Sequence, residues 1–379
     1  MSTRTSNGPG IATRVFGSQW FVSVLAVLIA FAIGALLIAL SGASVLDAYY
    51  AMFRGSIVDP NAANAVRMIK PLTDSLFYSI PLIISGLGLA LGFRAGLFNI
   101  GGKGQIIVGA LAAVWVGFAV SLPPVLHTLV ALLVAVIAGG LYGGIAGVLK
   151  AKTGANEVIV TIMLNSIATL GLGYVLAQKA WQVPGSNQPV TPKVAESAAF
   201  ARLLPAPFKL HVGFLVALVA LVAFWWLIER STLGFQIRAV GANAAAARTA
   251  GISVERITAI TMVLSGAFLG LAGANEALGT IGYVSRDVAG SIGFDAITAA
   301  LLGRNKTWGT FGAGLLFGAF KAGGYTMQAK GVPIDMILIL QSVIVLLIAA
   351  PALVRWLFRL PDVRALAANT RKGNADEHK

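Results

Sequence analysis

Glu157, Thr161 and Asn165 stand one helical turn apart in the otherwise apolar run NEVIVTIMLN, Asn156–Asn165. At that spacing they share one helix face. A polar stripe in an apolar segment must face protein or a cavity, so it serves either interhelical hydrogen bonding or contact with a solute. The same choice arises in RAGLFNIGGKGQ, Arg94–Gln105, where Phe98, Asn99 and Gln105 offer one ring and two amides. Gly96, Gly101, Gly102 and Gly104 disfavour a continuous helix there. Broken helices at membrane depth are tolerated where they line a cavity or are buried in protein. Lys103 should face the interior or an interface. Asn275 and Glu276, in SGAFLGLAGANEALG, could hydrogen-bond a solute hydroxyl or anchor a helix. Asp295 and Lys321, of opposite charge on neighbouring predicted spans, are expected to form a buried pair, since either alone is costly.

No catalytic or metal-binding constellation accompanies these groups. The chain has no cysteine, and its 3 histidines (His127, His211, His378) are scattered. Disulfides, thiolate metal sites and a clustered membrane-enzyme centre are therefore not expected, and no cofactor is called for. The glycine-rich loop with its lysine lacks GxxxxGK[ST] spacing and a surrounding strand–helix unit, so an internal nucleotide site is rejected. The net charge of +14 is read as Lys and Arg collecting in cytoplasmic loops, not as a nucleic-acid footprint.

These groups must be positioned by membrane helices. The 379 residues are 57% hydrophobic and only 11% charged, against about a quarter charged in soluble domains. Apolar runs near 20–40, 72–93, 95–120, 125–149, 157–178, 213–229, 257–279, 288–303, 308–328 and 334–354 match the ~20 residues needed to cross a bilayer. The fold class expected is all-α: a polytopic bundle of about ten transmembrane helices with broken or re-entrant segments. The first run is too long for a signal-peptide core and is read as a retained span. With the N-terminus inside, both termini are cytoplasmic, and the inside segments hold most of the 28 Lys and Arg, as expected.

The organisation is then a cytoplasmic N-terminal segment 1–19, a transmembrane domain 20–355 and a polar cytoplasmic tail 356–379. The external loop 179–212 holds five prolines (Pro184, Pro189, Pro192, Pro205, Pro207), which oppose a long helix, and is read as a connection. Small-residue stripes (Gly139-Gly140, Gly143-Gly144, Gly147; Gly266, Gly270, Ala274; Gly314, Gly318) let helix backbones approach closely.

The cytoplasmic loop 230–256 contains RAVGANAAAARTAGI, Arg238–Ile252. Asn243 is a good N-cap, the following alanines favour helix, and Gly251 can end it in the left-handed conformation. The resulting two-turn helix has no large apolar face of its own. It suits docking into another protein's groove, with Arg238 and Arg248 at the rim; the alternative is a solvated connector.

The pattern from Thr232 through Gly241 and Asn243, then Ala246-Ala247 and Ala250-Gly251-Ile252, resembles the coupling segment of ABC importer permeases of the branched-chain amino acid, ribose and nucleoside type. GLFNIGGKGQ is similar to that branch's GLFNIG-x-x-GQ signature, with Lys103 where an acid is common. TGANEVIVTIMLN resembles the nucleoside-type members most. The resemblance covers residues 20 to 355. It implies coupling through Arg238, Gly241, Asn243, Ala246, Ala247, Arg248 and Gly251 to a cytoplasmic ABC ATPase. It further implies a second permease subunit, an external solute-binding lipoprotein, the cytoplasmic membrane as location, and transport without chemistry on the solute. Phe98, Asn99, Gln105, Asn156, Glu157, Thr161, Asn165, Asn275 and Glu276 are the expected solute-path residues. Ribose-like sugars are the alternative cargo, and an ion-coupled secondary transporter the alternative class, with Glu157, Glu276 and Asp295 as candidate carboxylates.

Overall fold

A computed structural model describes residues 19–186, 188–333 and 335–349. The expected tail 356–379, nearly all of the N-terminal segment 1–19 and the end of the last span lie outside the described residues. The described chain is almost entirely helical, with no strand and one isolated antiparallel bridge, Arg202 to His211. Six helices are long and apolar enough to cross a membrane.

The chain divides into two compact units. In the smaller, α1 (Gln19–Leu40) packs against α13 (Asp335–Ala349). Within it the Tyr49 hydroxyl donates to the Phe31 carbonyl at 2.5 Å.

The larger unit spans residues 50–326. In sequence, α2 (Val45–Ser56) straddles this division, a short helix in a stretch where none was expected. Next come α3 (Ala65–Arg94), α4 (Gly102–Ala119), α5 (Leu126–Thr153) and α6 (Glu157–Ala177). After a long loop follow α7 (Gly213–Arg230), α8 (Thr232–Ala242), α9 (Ala244–Thr249) and α10 (Val254–Asn275). A π-helical turn, Glu276–Thr280, continues α10, and α11 (Ile292–Leu302) and α12 (Thr307–Gln328) complete the unit. One expected span starts later and another needs correction. The 95–120 run becomes a helix only from Gly102, because residues 95–101 form a loop. The 288–303 run yields an 11-residue helix preceded by turns, too short to cross ~30 Å at 1.5 Å per residue.

α10 is the central helix, packed on α3, α4 and α5. Its small residues explain how three neighbours fit around it. A Cβ placed on Gly266 would lie 2.2 Å from the Gly139 carbonyl oxygen of α5, and one on Gly270 2.3 Å from that of Ala135. On the α4 side, a Cβ on Gly273 would lie 2.2 Å from the Ile106 oxygen. Without a hydrophobic drive between helices in lipid, such close backbone contact supplies the dispersion that holds them together.

The described residues of the loop after α6 also make contacts beyond their own segment. Its backbone N–H groups at Thr191, Val194 and Phe200 donate to the carbonyls of Val284, Gly282 and Leu278. Ala198 and Phe200 are buried, and Ser197 Oγ lies 2.9 Å from Nδ1 of His127, at the start of α5. Other donors of the segment go elsewhere, Ala195 N to Gly117 O of α4 and Leu203 N to Leu210 O within the loop.

Candidate functional site

Three assemblies in the larger unit hold the residues singled out by the sequence. The first is a polar lock around residues 96–105. α3 ends in a Schellman turn: Gly96 has φ +74°, its N–H donates to Phe93 O, and Leu97 N–H donates to Gly92 O. Positive φ at this position favours glycine. The chain then turns inward. Asn99 is fully buried; its Nδ2 donates to Ser265 Oγ at 2.9 Å and to Gln105 Oε1 at 3.1 Å, and its Oδ1 accepts from Gly101 N. The stripe on α6 fastens the same loop from the other side. Asn165 accepts from Gly104 N and donates to Ile100 O, both at 2.8 Å. Thr161 Oγ1 accepts from Ile100 N and Glu157 Oε1 from Phe98 N, while Lys150 Nζ pairs with Glu157 Oε2 at 2.6 Å. Asn156 caps α6, accepting from Val158 N at 2.9 Å. The expected common face of Glu157, Thr161 and Asn165 is real, and it is turned on the loop. Phe98 is partly exposed and packs against Phe93 at 4.9 Å between centroids.

The second assembly is the helix pair α8–α9. Ser231 caps α8 and Asn243 caps α9, accepting from Gly234 N at 2.9 Å and Ala246 N at 3.0 Å. α9 ends in a second Schellman turn: Gly251, φ +83°, donates to Arg248 O, and Ile252 N to Ala247 O. The reading of Asn243 as start and Gly251 as stop therefore describes the observed helix. Not all of its surface is open. Ala247 is 4% exposed, covered by its own protein. Ala244, Ala245, Ala246 and Arg248 are exposed, and Arg248 pairs with Glu255 at 2.5 Å. Arg238 lies between exposed and buried, with Nη1 sealed and without a hydrogen-bond partner.

Arg94 ties these assemblies together, a role the sequence did not disclose. Its Nε donates to the carbonyl of Asn305, in the turn between α11 and α12, at 2.7 Å. Its Nη2 lies 3.8 Å from Glu229 Oε1 at the end of α7. Its carbonyl oxygen abuts Gly241 of α8, where an added Cβ would sit 2.0 Å away. One residue thus joins the end of α3 to α7, α8 and α11. The only sequence hint was an arginine at the edge of a glycine-rich loop.

The third assembly is a cavity of about 280 Å³ bounded by α3, the π-turn, the loop before α11 and α12. Phe77, Tyr78, Tyr325, Glu276, Ser291 and Lys321 are among its walls. Of the sequence-selected solute-path residues, only Glu276 lines it. Its Oε1 accepts from Thr280 Oγ1 at 3.1 Å and Asn275 Nδ2 at 3.4 Å. Asn275 is fully buried, its Oδ1 without a partner. The expected Asp295–Lys321 pair does not form: Asp295 accepts from Ser291 Oγ at 2.7 Å, and Lys321 Nζ lies 5.9 Å from the Tyr78 ring centre. The hydroxyl was nearer to hand than a cation one helix away. Tyr78 precedes Arg94 by sixteen positions on one helix, which at 1.5 Å per residue puts the cavity about 24 Å from the Arg94 junction.

Beside the cavity's Phe77, His211 packs at 5.4 Å between ring centres. It lies in the loop before α7. Burial pushes its pKa down from 6.5 to about 4, so the ring is neutral at physiological pH. Nδ1 accepts from Gly213 N at 3.1 Å, which puts the proton on Nε2, an atom with no partner.

A bundle of closely packed apolar helices, gripped at one end by a buried amide network and carrying a short capped helix pair, is the framework of a membrane permease. The family of branched-chain amino acid transport system / permease components matches residues 72–349, and the chain belongs to it. It is 40% identical over 349 residues (89% of this chain, 95% of the relative) to the guanosine ABC transporter permease protein NupP of Bacillus subtilis. It is 35% identical to a glucose ABC transporter permease protein of Haloferax volcanii, over 85% of each chain. It is 30% identical to the nucleoside ABC transporter permease protein NupB of Lactococcus lactis, over 92% of this chain and 95% of that one. No solved structure matches. The chain is thus a transport protein, not an enzyme, and a multi-pass integral protein of the cell membrane. Membership implies an ATPase and a solute-binding protein as partners.

Proposed function

We propose that this chain is the permease subunit of an ATP-driven importer that carries nucleosides across the cytoplasmic membrane by alternating access. The observation that carries the reading is the 40% identity to a guanosine permease along 89% of the chain. In this reading about ten spans place both termini and the loop 230–256 inside, and the loop 179–212 outside. The transmembrane domain runs from 20 to 355, flanked by the segments 1–19 and 356–379.

The exposed side of α9, with Ala246 and Arg248, meets the ATPase. Gly241, Asn243, Ala247 and Gly251 shape and seat the helix, and Arg238 borders it. Movement of α9 passes through α8 to Arg94 and the end of α3. The lock of Asn99, Gln105, Asn156, Glu157, Thr161 and Asn165, with Phe98 beside it, keeps the 96–105 loop rigid under that movement, at the cytoplasmic end of the solute path. Asn275 and Glu276 belong to its outer half. The large apolar side chains left exposed on α6, Leu170 and Tyr174 among them, face lipid or a second permease subunit, taken to be a paralogue. An external lipoprotein delivers the solute.

A sugar cargo is the second reading, favoured by the relative from Haloferax volcanii. Purification from native membranes in mild detergent tests both. An ATPase, a second permease and a binding protein should accompany the chain, and the binding protein should take up nucleosides. Binding of sugars alone would move the reading to the second cargo. A lone permease, in a detergent shown to preserve such complexes, would refute the importer.

A further inference from the structure

Tyr78 and Tyr325 are shared by two cavities of the larger unit. Below them lies the space of about 280 Å³ with Glu276 and Lys321. On their other side is a wider one of about 790 Å³, whose wall includes Arg67, Lys70 and Lys209. The two rings stand 5.4 Å apart at 38° and contribute to the walls of both cavities. The wall of the smaller chamber carries two groups with bonding capacity to spare, Glu276 and Lys321. Both hydrogen bonds to the Glu276 side chain end on Oε1, leaving Oε2 without a donor among the described residues. Among the described residues Lys321 makes no ion pair within 4.0 Å; its ammonium lies over the Tyr78 ring. A carboxyl oxygen and an ammonium that both line a cavity favour a polar guest there.

Resting on the nucleoside reading, we propose that this chamber is a solute-binding site for a molecule with a planar ring and vicinal hydroxyls, and that Tyr78 and Tyr325 form its outer lid. The ring stacks on the tyrosines, since every base presents a π-face. The hydroxyls hydrogen-bond to the Glu276 carboxyl oxygens. Lys321 donates to an acceptor on the solute. The volume is near the lower bound of about 300 Å³ for small-molecule sites, which suits one nucleoside and excludes oligomers. A free sugar lacks the ring, and a free nucleobase lacks the diol.

Adenosine and 2′,3′-dideoxyadenosine, titrated by saturation-transfer NMR against the purified permease–ATPase complex, test the site without the binding protein. The wild type should prefer adenosine. Glu276→Gln, nearly isosteric and still able to accept from Thr280, should weaken adenosine about tenfold, to the level of the dideoxy compound. Tyr325→Leu should weaken both nucleosides alike, and Tyr325→Phe neither. A preference for adenosine that survives Glu276→Gln, or absence of saturation transfer from the wild-type complex, would overturn the site. Nucleoside uptake by the complete wild-type importer is measured alongside. Uptake without these binding effects overturns this inference alone, whereas absence of uptake overturns the reading beneath it.

Discussion

The Gly241→Ala substitution probes the junction between the α8–α9 pair and the spanning helices. The new Cβ would sit 2.0 Å from Arg94 O and 2.9 Å from Ala95 C. Real Cβ contacts essentially never fall below 3.0 Å, so α8 must withdraw by about 1 Å. Both obstructing atoms are backbone, held by the Schellman turn that ends α3, and have little freedom to yield. Overpacking of this kind costs roughly 1–3 kcal/mol, and a 1 Å gap forfeits up to about half of each dispersion contact it opens. The exposed alanines of α9 are untouched. The variant should therefore insert, keep its ATPase on co-purification, melt at a lower temperature, and lose most nucleoside uptake in proteoliposomes. Arg248→Glu supplies the contrast, since it alters the exposed side of α9 and should weaken ATPase retention instead. Wild-type uptake and melting in Gly241→Ala would refute the argument that this contact transmits motion. Loss of the ATPase from Gly241→Ala would show that Gly241 belongs to the docking surface.

The lock and the buried histidine give two further tests. Asn165→Ala removes both bonds from α6 to the 96–105 loop and should cost about 2–6 kcal/mol, at ~1–3 kcal/mol for each group left unpaired; hydrogen exchange at Gly104 should rise, and unchanged protection there would show that the loop is held without it. His211 is neutral when folded, with a pKa near 4 against 6.5 for the ordinary side chain. Above pH 6.5 neither state is charged. As pH falls from 6.5 to 4 the unfolded chain takes up the proton first, so stability declines by roughly 3 kcal/mol in all and no further from this group below pH 4. His211→Asn, which keeps an acceptor for Gly213 N, should flatten melting temperature across that window; an unchanged slope would assign the acid sensitivity elsewhere.

Much of this protein is legible in one dimension because its signals are local. Apolar length sets the spans. Asn243 and Gly251 set both ends of α9, since a cap and a left-handed stop need only their own neighbours. The spacing of Glu157, Thr161 and Asn165 sets a common face whatever lies opposite. Tertiary packing alone decided what that face meets, and the partner is the protein's own loop rather than open space. It also assigned Asp295 to Ser291 instead of Lys321, buried Ala247, and made Arg94 a junction of four helices. Tyr78, Glu276, Lys321 and Tyr325 come from three separate segments and share one cavity only because α3, α10 and α12 pass through the same region. Composition and period state which surfaces are apolar; distances between segments far apart in the chain depend on how closely glycines let their helices approach, and that is settled only in three dimensions.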